Sequence, residues 1–296
     1  MRIDDVAGNT CQALPQGGRV LTEPSLTSTE TAITTTTGGY RLRSLRASTA
    51  GNGVVLDTTS AGASATCQDT VTGKPPAMPL ASPCPQTLTP LTTAASAALA
   101  AGVTGGADGA EAVAAAAAVL GVPAGAPICG FNDAPRRAQN GDPLGIASLA
   151  RAAQVQALAA YFAATVHGLT VRRVSVQEAG AAAFKALGTE IARRHAAAAA
   201  TSGRRHARAL LATPAAINWV SSAETKALLA GAAAALPGGS LSSPWGSGGS
   251  AETIAAVEAL LHADTTALDA LAKVLNPTGA DLIRVQAVVG DISTSR

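Results

Sequence analysis

The sequence predicts an α+β chain whose two kinds of structure are segregated. A small antiparallel β-sandwich-like module is expected over residues 1–88, followed by an all-α, alanine-rich helical domain over 89–296. Three observations predict this. Residues 19–90 are rich in Thr, Ser, Gly, Pro and Val and carry short alternating pieces, the chain after Thr89 is dominated by alanine, and the change falls within one stretch, CPQTLTPLTTAASAALAAG from Cys84 to Gly102.

The β reading rests on pieces such as TETAITTTT, YRLRSLRA and NGVVLDTTS. In YRLRSL, Tyr40 and Leu42 alternate with Arg41 and Arg43, the period of a half-buried strand. TTGGY before it and AGNG after it are turn chemistry. Together these pieces predict short strands without a helix.

The helical reading rests on repeated start signals. Thr89-Pro90 offers an N-cap followed by proline at the first helical position, and Gly102 stands where a C-terminal glycine belongs. Asp108 with Glu111, Ser175 with Glu178 and Ser221 with Glu224 have capping-box spacing. Asp142-Pro143 and Thr213-Pro214 repeat the cap-then-proline form. Helices are expected near 90–101, 109–120, 143–167, 176–200, 203–212, 214–236, 251–262, 265–276 and 279–289. LPGGSLSSPWGSGGS, residues 236–250, is a linker by composition, either setting off a final helical hairpin or looping over the surface of one helical domain.

Composition limits the core. Of 296 residues, 47% are hydrophobic, but much of that is alanine and only 2% of the chain is aromatic. Alanine buries little area per residue, yet it has the lowest helix-forming cost and lets helix axes approach closely. The expectation is many close-packed helices rather than one aromatic core. A net charge of +2 with 14% charged residues argues against a nucleic-acid partner. The most apolar run, EAVAAAAAVLGVPAGAPICGF, is interrupted by Pro123 and Pro127, so no membrane span is expected. MRIDDVAGNTCQALPQGG lacks the basic start and apolar stretch of a secretion signal.

No residue pattern announces a reaction. His167, His195, His206 and His262 form no ligand pair of the H-E-x-x-H kind, and Ser247 and Ser250 lack the glycines of a nucleophile elbow. Phosphate-cradling glycine loops are missing, so no catalytic residue, cofactor or metal is expected. Arg172, Arg173, Arg193, Arg194, Arg204, Arg205 and Arg208 crowd into one stretch with Lys185, against Glu178 and Glu190. They read either as a polyanion-binding patch or as a solvated helix face with cations near helix ends. Cys11, Cys67, Cys84 and Cys129 lack C-x-x-C spacing and read as two disulfides. A Cys67–Cys84 bridge would tie the end of the β module to the first helix and leave Cys11 with Cys129, although four cysteines permit three connectivities.

A family resemblance follows from the residues at the seam. Glu23-Pro24, Gly39-Tyr40, Asp69-Thr70-Val71-Thr72-Gly73, Leu80, Pro83 and Thr89-Pro90-Leu91-Thr92-Thr93 occur in an order that resembles alanine-rich surface and adhesin-like proteins of bacteria and green algae. In that family a prealbumin-like (carboxypeptidase-regulatory-like) β module leads through a T-P-L-T-T run into an alanine-rich helical region. The resemblance covers roughly residues 19–170. It implies a non-enzymatic extracellular or cell-surface structural or adhesive module of a larger secreted protein, with extracellular polysaccharide or matrix and surface proteins as partners. The absent secretion signal then implies a fragment or an incorrect gene start. CQALPQGGRVLTEP replaces the Asp/Asn/Gly-rich loop often found in that family, so no calcium site is carried over. Two alternatives stand beside this reading: a polysaccharide- or polyanion-binding module using the arginines, and a non-catalytic fragment of a secreted enzyme.

Overall fold

A computed structural model describes residues 80–83, 89–103, 109–130, 134–169, 174–201, 213–236 and 251–294, with the backbone of short strand segments upstream. Its helices are α1 (Pro90–Ala100), α2 (Ala110–Leu120), α3 (Ala134–Gln139), α4 (Pro143–Leu169), α5 (Val176–Thr201), α6 (Ser222–Ala234), α7 (Ala251–Ala272) and α8 (Gly279–Thr294).

The expected α+β class is corrected to a mostly all-α fold. Over the residues described with their side chains, three-quarters are helical, with one short strand, Ala81–Ser82, and no sheet. The upstream strand segments, such as Gly18–Leu21, Thr31–Thr34 and Tyr40–Leu42, are only three or four residues long. The β-sandwich therefore does not stand as the class of this fold. The physical reason lies in composition: Thr, Ser and Gly alternate over runs too short to present a continuous apolar face, while alanine favours helix over most of the remaining length.

α4 is the spine. At 27 residues it spans about 40 Å, and it is buried on nearly every side from Gly145 to Val166, as expected of a helix that is apolar all round. One core gathers α1, α2, α5 and α6 against it, with Leu91, Leu120, Leu158, Phe162, Leu187 and Leu229 fully or almost fully buried. A second, smaller core joins α3, α7 and α8 to the other side through Ile146, Ala150, Leu268 and Leu282. α7 packs on α4 more extensively than any other pair of helices touches, so the helices after the Gly/Ser-rich stretch belong to the same body. Residues 237–250 lie outside the described residues.

The T-P-L-T-T run explains the seam. Thr89 caps α1 by accepting the Thr92 N–H at 3.1 Å, and the Thr92 hydroxyl oxygen returns the favour to the Thr89 N–H at 2.8 Å. Thr93 reaches back to the strand. Its hydroxyl oxygen accepts from the Ala81 N–H at 3.0 Å and donates towards the Thr89 and Ala81 carbonyls at 2.8 and 3.1 Å. Thr89 and Thr92 are fully buried. The strand and the first turn of α1 thus share one hydrogen-bond network, buried at the helix start and partly buried at Ala81.

Several helices depart from expectation. α7 runs unbroken through the expected gap at 262–265, because Thr265 bonds back to the Leu261 carbonyl at 2.8 Å inside the helix. The helix expected at 214–236 begins only at Ser222, and residues 213–218 form no helix or strand. That segment caps α2 instead: Ile217 N–H donates to the Val119 carbonyl at 2.7 Å and the Trp219 indole N–H to the Leu120 carbonyl at 3.1 Å. α3 was not expected. The helix expected at 203–212 lies outside the described residues.

Candidate functional site

The described arginines of the predicted patch meet a groove of about 830 Å³ between α5 and α6. Positions 185, 189 and 193 of α5 recur at helical spacing along one wall, and Ala223, Ala227 and Gly231 of α6 form the other. Small side chains on α6 leave the groove open, and charge gathers at its α5 wall.

That charge is largely satisfied within the chain. The Arg194 guanidinium donates to Glu190 Oε1 and Glu224 Oε2, each at 2.6 Å, and to the Ala216 carbonyl at 2.6 Å. It is therefore a staple between α5, α6 and the irregular segment before α6. Arg193 makes a forked pair with Glu190, Nε to Oε2 at 2.7 Å and Nη2 to Oε1 at 2.6 Å, with its side chain 64% exposed. The Arg193 hydrogen bond, opposed by burial and reinforced by Arg194, holds the Glu190 carboxyl below its ordinary range. Burial lowers the Arg194 pKa, but its bonds to Glu190 and Glu224 outweigh that and leave it raised. Arg172, Arg173, Arg204, Arg205 and Arg208 lie outside the described residues. Of the seven predicted binding arginines, the structure brings together Arg193 and Arg194, and Arg194 is bound to its own fold.

The described histidines stand apart from one another. His195 Nε2 meets Glu111 Oε1 at 3.2 Å across α5 and α2, and His167 Nδ1 meets the Val174 carbonyl at 2.9 Å. His262 sits on α7 with its Nδ1 buried and unpartnered. No group of three or more His, Cys, Asp or Glu among the described residues is arranged to hold a metal ion. Among the same residues no helix is long and apolar enough to cross a membrane.

The pairing of the four cysteines falls outside the described residues, among which no disulfide joins two residues. Cys129 is the one described cysteine and is not a free thiol, while Cys11, Cys67 and Cys84 lie outside the described residues.

Sequence reasoning missed a second polar cluster, between α4 and α7. Arg151 Nη1 donates to Asp269 Oδ1 at 2.7 Å and to Gln154 Oε1 at 2.8 Å, and its Nε donates to the Gly121 carbonyl at 3.0 Å. One turn on, the Gln154 amide donates to the Thr265 carbonyl at 2.7 Å, and two turns further Tyr161 Oη donates to Asp264 Oδ2 at 2.7 Å. Burial pushes the Asp269 carboxyl up, but bonds from Lys273 and Arg151 prevail and hold it below its ordinary value. The legible signal was the isolated Arg151 and Gln154 inside the alanine-rich run LARAAQVQALAAYF. Polar residues there need partners.

Comparison with protein-family models, with curated proteins and with solved structures returns no match for this chain.

Proposed function

We propose that the chain is a non-enzymatic structural module in which a rigid helical body carries the polypeptide upstream of Leu80 in a fixed orientation. The observation that supports this reading is the joint, partly buried at Ala81 and buried at Thr89 and Thr92, in which Thr93 takes both backbone groups of Ala81 while Thr89 and Thr92 cap α1. A flexible tether would leave those backbone groups to water, whereas side-chain bonds to both of them tie strand and helix into one unit. The two polar clusters at the helix contacts support the same reading, since Arg151 and Arg194 hold helices together. The groove lining includes no His, Asp or Ser, and Arg194 is engaged, so neither the enzyme-fragment nor the polyanion reading gains a specific observation.

Double electron–electron resonance tests the joint. With spin labels at Thr34, in a strand segment, and at the exposed Ala100 at the end of α1, a single narrow distance distribution is expected. Thr93→Val, which keeps shape and removes the hydroxyl, should broaden it, and Thr93→Ser should keep it narrow. A broad distribution in the unmodified protein overturns the reading.

A further inference from the structure

The groove between α5 and α6 has two unlike ends. Arg194 meets Glu224 at one place along the pair, and Ala186 lies opposite Gly231 at another, its Cβ 3.5 Å from where a side chain on that glycine would begin. The two helices therefore run antiparallel. At the Glu224 end the charges cancel, because Arg193 and Arg194 answer Glu190 and Glu224. At the other end, about 12 Å from Arg193 at 1.5 Å per residue, Lys185 stands exposed beside Ala234 and Ala235. Among the described residues the other two lysines each reach a carboxylate, Lys226 to Glu258 at 3.0 Å and Lys273 to Asp269 at 2.6 Å. The Lys185 ammonium reaches none.

We propose that this groove binds an aliphatic monocarboxylate, its chain lying over the small residues of α6 and its head group on Lys185 Nζ. The volume of about 830 Å³ falls within the range of about 300–1,000 Å³ typical of small-ligand clefts. From Ala227 to Ala235 the α6 wall offers no side-chain donor or acceptor, and the buried Ala186 and Leu228 floor it. Such a surface rewards burial of methylene groups. Midway along the α5 wall the Thr189 hydroxyl donates to the Lys185 carbonyl at 2.9 Å, so it has no proton left over for a ligand. The one charge without a partner is positive and selects an anion, and a single cation at one end suits a single head group rather than a polyanion. α6 ends beside Lys185, and its last carbonyls carry about half an elementary negative charge, which the whole charge of the ammonium exceeds. The inference is independent of the scaffold reading.

Isothermal titration of the full chain with dodecanoate, kept below its micelle-forming concentration, gives the test. One saturable site is expected. Dodecylammonium, with the same chain and the opposite head charge, should bind more weakly by about fivefold or more, because its head meets Lys185. Lys185→Gln should weaken dodecanoate by about fivefold, the upper range for a partly exposed ion pair, while Lys185→Arg should keep the parent affinity. Ala227→Leu fills the groove from an exposed helix position and should lower affinity by about tenfold or more, since a filled site leaves no space for the chain. Ala230→Leu, exposed on the same helix but outside the groove lining, should bind like the parent. Both leucine variants should hold the parent's unfolding midpoint, because leucine is a good helix former. Absence of saturable dodecanoate binding in the parent overturns the proposal. So does dodecylammonium binding as tightly as dodecanoate, an unchanged affinity in Lys185→Gln, or equal affinities in Ala227→Leu and Ala230→Leu.

Discussion

The contact between α1 and α5 and the contact between α4 and α7 solve one problem in two ways. Alanine-rich helix faces are nearly featureless, so a slip of one turn changes little buried area and register needs another source. Between α1 and α5 that source is a notch. Gly188 lies so close to the Ala97 backbone that a Cβ there would fall inside van der Waals contact of its carbonyl group, and the surrounding Leu91, Ala94, Ala95, Ala183 and Leu187 are buried and apolar. Between α4 and α7 it is the polar ladder from Arg151–Asp269 through Gln154–Thr265 to Tyr161–Asp264. A buried polar contact specifies an arrangement because the shifted alternative strands its groups.

The largest expected effect separates specificity from stability at the ladder. Asp269→Ala leaves the Arg151 guanidinium buried without its carboxylate and should cost about 3–5 kcal/mol in urea denaturation. Arg151→Met with Asp269→Leu removes both charges and should return stability to near the parent value, because replacing a buried pair by apolar groups is often neutral or favourable. If the single variant costs under about 1 kcal/mol, below the range for a broken buried pair, the ladder is not what holds α7 in place.

The notch should respond in the opposite chemical sense. Gly188→Ala adds one methyl group to a closed contact and should destabilise by about 1–3 kcal/mol, although alanine is the better helix former by up to about 1 kcal/mol. Gly168 in α4 has nothing within 4 Å of an added Cβ, so Gly168→Ala should stabilise by a few tenths to about 1 kcal/mol. Equal effects at the two glycines, measured by thermal unfolding, would mean that the α1–α5 approach is not tight.

What the sequence disclosed follows the same division between local and tertiary chemistry. Caps are local, so Thr89-Pro90, Asp142-Pro143 and Ser175 with Glu178 mark the starts of α1, α4 and α5. Ser221 also caps its helix, but Glu224 turns its carboxylate to Arg194 and the Asn218 N–H instead of closing the box. The break expected between 262 and 265 does not form: Asp264 serves Tyr161 and Thr265 its own helix. Thr213-Pro214 looked like a helix start, but Ile217 and Trp219 are anchored to the end of α2, a contact across about a hundred positions that no local pattern encodes. Within the arginine stretch, two neighbours are likewise set apart by tertiary contacts. Adjacent Arg193 and Arg194 differ in exposure, 64% against 15%, and Arg194 is the one that meets Glu224 of another helix and the Ala215 and Ala216 carbonyls.

The smallest expected effect is a pH dependence that should fall unequally on the two contacts. Asp269 has its carboxyl held below the ordinary value of 3.8 in the folded chain, so between the folded and unfolded values the unfolded chain binds more protons than the folded one. Unfolding then takes up protons, and the contribution of this group is fully present above the unfolded value and is lost as pH falls through the folded one. Glu190, lowered from 4.5, acts in the same direction at the α5–α6 contact. The buried apolar residues that pack α1 against α5 around Gly188 carry no carboxylate. Hydrogen-exchange protection factors should therefore fall more in α7 than in α1 when pH is lowered from about 6 to about 3, a range that spans the ordinary carboxylate values. Asp269→Asn should remove part of the α7 slope and leave α1 unchanged. Parallel loss of protection in both helices would mean that acid acts on the whole chain at once rather than through the ladder.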